Sequence, residues 1–188
     1  MQTPKGPPAT AAWRSAWRFA AVCHAAQRVP GSPANYLGHI GDVVLELVSG
    51  HLALPIGDLD LAVQCAILHD TVEDQDVTAA ELEKMFGAAV ANGVLALSKS
   101  AALPKTEAMQ DSLQRIQQQP HAVWCVKLAD RISNLQSAPP HWSDRKCATY
   151  RLEAQTIRDA LGDAHHVLAA RLDAAILAYP PVEGPRGF

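Results

Sequence analysis

Aromatic residues make up only 5% of this 188-residue chain and charged residues only 19%. The remainder is dominated by alanine and leucine, both strong helix formers, so the composition leans to an all-α fold. No segment shows the apolar/polar alternation of a half-buried strand, and there is no internal repeat or low-complexity stretch. Basic residues are not in excess. With 16 Lys and Arg against 19 Asp and Glu, the net charge of −3 argues against a general nucleic-acid binder, which needs a basic surface. The four cysteines, Cys23, Cys65, Cys125 and Cys147, contain no CxxC pair. That spacing argues against a disulfide scaffold, and they read as buried thiols of a cytoplasmic protein. An apolar run of membrane length and a signal-peptide h-region are also missing, so no membrane partner is expected.

What is present is enough for one domain, since a chain of this length buries roughly two-thirds of its unfolded surface. Both ends are rich in proline and polar residues: "MQTPKGPPAT" predicts a tail over 1–10, and "PPVEGPRGF" another over 180–188, leaving a domain at 11–179. Between them, periodicity predicts about seven helices, near 11–27, 36–48, 58–72, 78–98, 105–118, 120–136 and 143–178, the last broken near Gly162-Asp163. Trp13 with Trp17, and Leu152 with Ile157, fit the packed face of amphipathic helices.

Three segments break the amphipathic rule. The first runs apolar from Leu61 to Leu68 and then continues straight into His69-Asp70 and Glu73-Asp74. A surface helix would keep its charges on a separate stripe, so this set belongs at the mouth of the core. The second, "VWCVKLADRISNLQ", places Asp130 on the same helical face as Val123, Val126 and Asn134. A carboxylate there needs compensation, because a buried unpaired charge costs several kcal/mol. Either an arginine or a bound cation could supply it; the adjacent Arg131 points elsewhere on a helix. The third, "GSPANYLGHIGDVVLEL", puts His39 near the start of an apolar helix.

Taken singly, His39 reads as a hydrogen-bonded core histidine, and Asp130 as one half of an ion pair. Taken together, His39, His69, Asp70 and Asp130 all sit at inward-facing helical positions. Two imidazoles and two carboxylates form a mixed N/O set suited to a borderline-hard divalent ion such as Mn²⁺, and poorly suited to a closed structural zinc site.

The order H…HD…D resembles the HD phosphohydrolase superfamily. The flanking words "AILHDTVEDQDVTAAELEKMFGAAV" and "VKLADRISNL" are similar to the ppGpp hydrolase domain of RelA/SpoT proteins. The likeness runs from about Phe19 to Tyr179, leaving no room for a synthetase or regulatory domain, so the chain looks like a stand-alone small alarmone hydrolase of that group. The resemblance implies an HD-domain helical bundle holding one Mn²⁺ through His39, His69, Asp70 and Asp130. It gives Glu73 and Asp74 the task of orienting or deprotonating the attacking water. If both lie on one helix, they stand one turn beyond His69 and Asp70. Without the resemblance, the same pair reads as a solvated helix end or a cap for the segment at Thr78.

By the same resemblance, Arg28 matches a base-packing arginine, Lys105 a phosphate-facing lysine, Asn134 a ribose and phosphate contact, and Lys146 with Tyr150 a basic residue and a tyrosine on a late helix. Two departures stand out. Val29-Pro30 follows Arg28 where the family has lysine, and Ile40 follows His39 where it has proline. The implied reaction is release of pyrophosphate from the 3′ position of ppGpp or pppGpp, leaving GDP or GTP. The Val29 departure leaves open action on (p)ppApp or on the 2′-phosphate of NADPH, and an inactive nucleotide-binding module is the alternative of another class. The implied partner is a small nucleotide; a homodimer is compatible with the class.

Overall fold

The computed structural model describes residues 10–180, with the side chains of Lys105 and Thr106 excepted. The expected tails therefore lie outside the described residues, apart from Pro180 and Thr10, which opens the first helix. Among the described residues the fold is all-helical: α1 (Thr10–Cys23), α2 (Leu37–Ala53), α3 (Leu59–Leu68), α4 (Thr71–Asp74), α5 (Ala79–Phe86), α6 (Ala88–Leu97), α7 (Lys105–Gln117), α8 (His121–Asn134), α9 (Asp144–Leu161), a 3₁₀ turn (Gly162–Ala164) and α10 (His166–Ala178). No helix among these residues is long and apolar enough to cross a membrane.

The core forms around α3 and α8. Every residue from Leu61 to Leu68 is buried, because α3 packs against α1, α2, α6 and α8 and has no face left for solvent. α8 is buried from Ala122 to Ile132 except at Trp124, and it contacts α2, α3 and α10. The approach of α6 to this pair depends on Gly93: a Cβ there would lie 2.6 Å from Cys65 Sγ and 3.1 Å from Val123 Cγ2.

Helix ends follow local chemistry. Asp58 caps α3, its carboxylate accepting from Leu61 N at 3.1 Å. Thr78 and Glu81 form a reciprocal capping box at the start of α5, so the segment is capped by its own threonine and not by Glu73-Asp74.

Four expected boundaries change, the first being that the helix predicted over 36–48 continues to Ala53. The predicted helix 78–98 is two helices, because Gly87 at φ 86° ends α5 in a conformation that side-chain-bearing residues avoid. The predicted helix 58–72 stops at Leu68, whose carbonyl accepts from Thr71 Oγ1 at 2.7 Å, and the chain restarts as α4. The helix expected to reach 27 ends at Cys23. The break expected near Gly162-Asp163 falls at the 3₁₀ turn. Of the helical packing pairs, Trp13 and Ile157 pack into the core, whereas Trp17 is 37% exposed and Leu152, five residues from Ile157 and so on another face, is 68% exposed. Cys65, Cys125 and Cys147 are buried free thiols; Cys23 is only half-buried.

Candidate metal centre and cavity

His39 enters the core from the first turn of α2, His69 and Asp70 occupy the junction between α3 and α4, and Asp130 comes from α8, one turn before its end. The break after Leu68 thus places the His-Asp pair where α2, α3 and α8 meet. Ligand atoms of His39, His69 and Asp70 lie within 4.8 Å of one another. Asp130 Oδ1 is 3.5 Å from His39 Nε2 and 3.7 Å from His69 Nε2, while Asp70 Oδ2 is 2.9 Å from His69 Nε2 and 3.9 Å from His39 Nε2.

Each of these groups is oriented from behind. His69 Nδ1 donates to the Ala66 carbonyl at 2.8 Å, so that in the neutral imidazole, the form that binds a metal, Nε2 carries the lone pair facing the cluster. That Nε2 is buried and makes no aligned hydrogen bond despite its closeness to Asp70. Ser133 Oγ lies 3.3 Å from His39 Nδ1, and Tyr36 Oη donates to Asp70 Oδ2 at 2.5 Å. Lys127 Nζ donates to Asp130 Oδ2 at 2.9 Å, and Asn134 Nδ2 donates to Asp130 Oδ1 at 2.5 Å. Asn134, implied to be a ribose and phosphate contact, therefore braces Asp130 while also lining the adjacent cavity.

The electrostatics favour a cation at the centre. Burial disfavours a charged His69, but the Asp70 and Asp130 carboxylates outweigh it and raise its pKa to about 9. Burial likewise disfavours charge on Asp70 and Asp130, yet His69 holds the first, and Lys127 with the two histidines holds the second, well below the usual carboxylate range. An unpaired buried imidazole nitrogen, a second imidazole and two ionised carboxylates fit a divalent ion of the Mn²⁺ type. The compensation of Asp130 comes in part from Lys127, three residues back. Arg131 does point elsewhere: its Cζ sits 4.1 Å from the Tyr150 ring centroid, and Nη1 lies 3.9 Å from Glu153.

A cavity of about 1510 Å³ opens beside this cluster. His39, Glu73, Lys99, Asn134, Lys146 and Tyr150 are among its lining residues. Glu73 accepts from Lys99 N at 2.9 Å. Asp74 diverges from it. Although Asp74 N still bonds to Asp70 O, its carboxylate accepts from Gln27 Nε2 at 2.8 Å, and burial raises its pKa despite that donor. His69 and Glu73 are not on one continuous helix, so the two acids do not share one face.

The remaining expected contacts divide. Arg28 is exposed and does not line the cavity, though Val29, Pro30, Ser32 and Ala34 from the same loop do. That loop is closed by a bridge between Arg28 and Asn35 and turns at Gly31, with φ 78°. Lys105 opens α7, and its side chain lies outside the described residues. Lys146 Nζ sits 5.0 Å from the Trp142 ring centroid, and Tyr150 meets Trp142 edge-on. Tyr36, Lys127 and Lys99 were missed. The i−3 spacings of Lys127 to Asp130 and of Tyr36 to His39 were available signals; nothing in the sequence pairs Lys99 with Glu73.

A helical bundle, as the described residues form it, that brings together a His/His/Asp cluster, with a second carboxylate against it and a cavity beside it that presents Glu73, defines the class of metal-site hydrolase-like helical domains. The HD domain family model matches residues 16–175, and the chain belongs to that family. Among curated proteins, it is 39% identical over 92 residues to the guanosine-3′,5′-bis(diphosphate) 3′-pyrophosphohydrolase MESH1 of Danio rerio, covering 47% of this chain and 51% of that protein. Against the Mus musculus protein of the same name it is 36% identical over 157 residues, 77% of this chain and 82% of that one. A solved structure described as a metazoan ortholog of SpoT that hydrolyses ppGpp superposes with a TM-score of 0.78 at 24% identity, covering 97% of this chain and all of the other, a likeness of fold.

Proposed function

We propose that this protein is a metal-dependent hydrolase that removes pyrophosphate from the 3′ position of ppGpp and pppGpp, leaving GDP and GTP. The observation that carries the reading is the convergence of His39, His69, Asp70 and Asp130 beside a cavity whose wall presents Glu73. The names of the curated relatives support the substrate class.

His39, His69, Asp70 and Asp130 would hold one Mn²⁺ per chain. When bound, the ion supplies charge neutralisation for the pyrophosphate and polarisation of the P–O bonds and of water. The protein's own groups do the rest. Glu73, fixed by the Lys99 amide, takes a proton from the water whose oxygen bonds to phosphorus as the bond to the ribose 3′ oxygen breaks, and that ribose oxygen takes a proton from solvent and leaves as the 3′-hydroxyl. Asp74, held by Gln27, positions the segment that carries Glu73. Lys146 and Tyr150, which line the cavity, would contact the ribose and phosphates, and Arg28 and Lys105 keep the base and phosphate contacts that the family resemblance implies.

Activity assays on purified protein test this. With Mn²⁺ added, ppGpp should release pyrophosphate and GDP faster than ppApp reacts, and NADPH should release little phosphate. Preference for ppApp or NADPH would replace the substrate assignment, and no turnover of any of the three would overturn the enzyme reading. The same reading makes the protein cytoplasmic, and light scattering tests for a homodimer.

A further inference from the structure

Glu73 is engaged by a residue that the mechanism above uses only through its backbone. Lys99 N donates to Glu73 Oε2, and Lys99 Nζ lies 3.5 Å from Oε1. Both side chains line the cavity, at 38% and 32% exposure. The backbone that carries Lys99 is fixed. Arg115 donates to the Leu95 carbonyl and, at 2.7 Å, to that of Ser98, while its Nε bonds to Asp111 at 2.8 Å. A guanidinium on the last carbonyls of α6 satisfies acceptors that the helix leaves open and complements its dipole.

The lysine thus has two separable contacts with the proposed base. The short amide bond sets where the Glu73 carboxylate sits and is independent of the side chain. The ammonium contact is long and partly wet, so it is weak and easily exchanged. A densely anionic substrate entering this cavity would meet the Glu73 carboxylate as a like charge. An ammonium beside that carboxylate offsets the repulsion, and its flexible stem lets it turn to a phosphate oxygen.

We infer that Lys99 is a polyphosphate-binding residue: its ammonium neutralises Glu73 against the incoming substrate and then bonds to the pyrophosphate oxygens, while its backbone N–H keeps Glu73 in place. The inference rests on the hydrolase reading for the identity of the substrate, not for the presence of an anion site.

Lys99→Met removes the ammonium and keeps the amide and the apolar stem; Lys99→Arg keeps the charge. Inorganic pyrophosphate is titrated calorimetrically into Mn²⁺-loaded wild-type protein and both variants, beside KM and kcat for ppGpp. Lys99→Met should weaken pyrophosphate binding and raise KM by about tenfold or more, with the loss in KM and not in kcat, and Lys99→Arg should recover most of it. A pyrophosphate affinity for Lys99→Met within about twofold of wild type would overturn the assignment. If the wild type binds pyrophosphate but leaves ppGpp intact, the hydrolase reading fails and the titration still decides Lys99.

Discussion

Lys127 and Asp130 form an ion pair at 2.9 Å inside the bundle, one turn apart on α8, with side chains 9% and 8% exposed. The pair divides the carboxylate. Oδ2 is held by the lysine, and Oδ1 is left facing His39 and His69. Removing one member of a buried pair strands the other charge, which costs about 3–5 kcal/mol. Lys127→Met should therefore lower the stability of the metal-free protein by that order, read from urea unfolding. Added Mn²⁺ should restore part of the loss, because a bound cation supplies the missing positive charge and stabilises only the folded state. A loss under about 1 kcal/mol in the metal-free protein would show that Asp130 is balanced by other groups.

The four proposed ligands make a second expectation. Asp70→Asn, Asp130→Asn and His39→Ala should each abolish Mn²⁺ binding by calorimetry and hydrolysis of ppGpp, while far-ultraviolet circular dichroism retains the helical signal. Near-normal turnover in Asp70→Asn or Asp130→Asn would remove the metal assignment. His39→Ala is the more demanding case, since Ser133 and Tyr36 also pack on this ring and its loss leaves a gap.

The helices were legible in two ways: α1 keeps one buried face and shows apolar periodicity, whereas α3 is buried all round and reads as an unbroken apolar run. The His39, His69, Asp70 and Asp130 set was legible for the opposite reason, as charge where periodicity demands a core residue. The break between α3 and α4 was not, because Thr71 reads as one more helical residue until its hydroxyl is seen on the Leu68 carbonyl. The divergence of Glu73 and Asp74 follows from partners 26 and 47 residues away, Lys99 and Gln27, which no local pattern links to them. Gly87 offered a signal, since glycine often closes a helix, but the apolar run beyond it continued the same period.

Gly93 is a third test, of packing alone. A methyl group there would press on Cys65 Sγ and Val123, at the contact of α6 with α3 and α8. Overpacking a close-packed core costs about 1–3 kcal/mol, so Gly93→Ala should lower the thermal midpoint even though alanine is the better helix former. Pairing it with Cys65→Ala, which shortens the facing side chain, should recover part of the loss. If Gly93→Ala is neutral or stabilising, α6 is free to shift away from α3.

The two adjacent acids separate chemistry from positioning. Glu73 faces the cavity and is held by an amide donor that survives substitution, so Glu73→Gln keeps its shape and its contact with Lys99 N but removes the base. A positioned general base contributes about 10²–10⁴-fold in rate, and the loss should appear in kcat by at least the lower factor, with Mn²⁺ affinity little changed. Asp74 accepts from Gln27, and an asparagine oxygen can accept the same bond, so Asp74→Asn should cost less than about tenfold. The order of the two losses is the measurement. Should Asp74→Asn lose more kcat than Glu73→Gln, Asp74 would be the base and its bond to Gln27 a resting contact. Should Glu73→Gln instead lose Mn²⁺ in a calorimetric titration, Glu73 would belong to the metal centre, and the role of base would pass to Asp74.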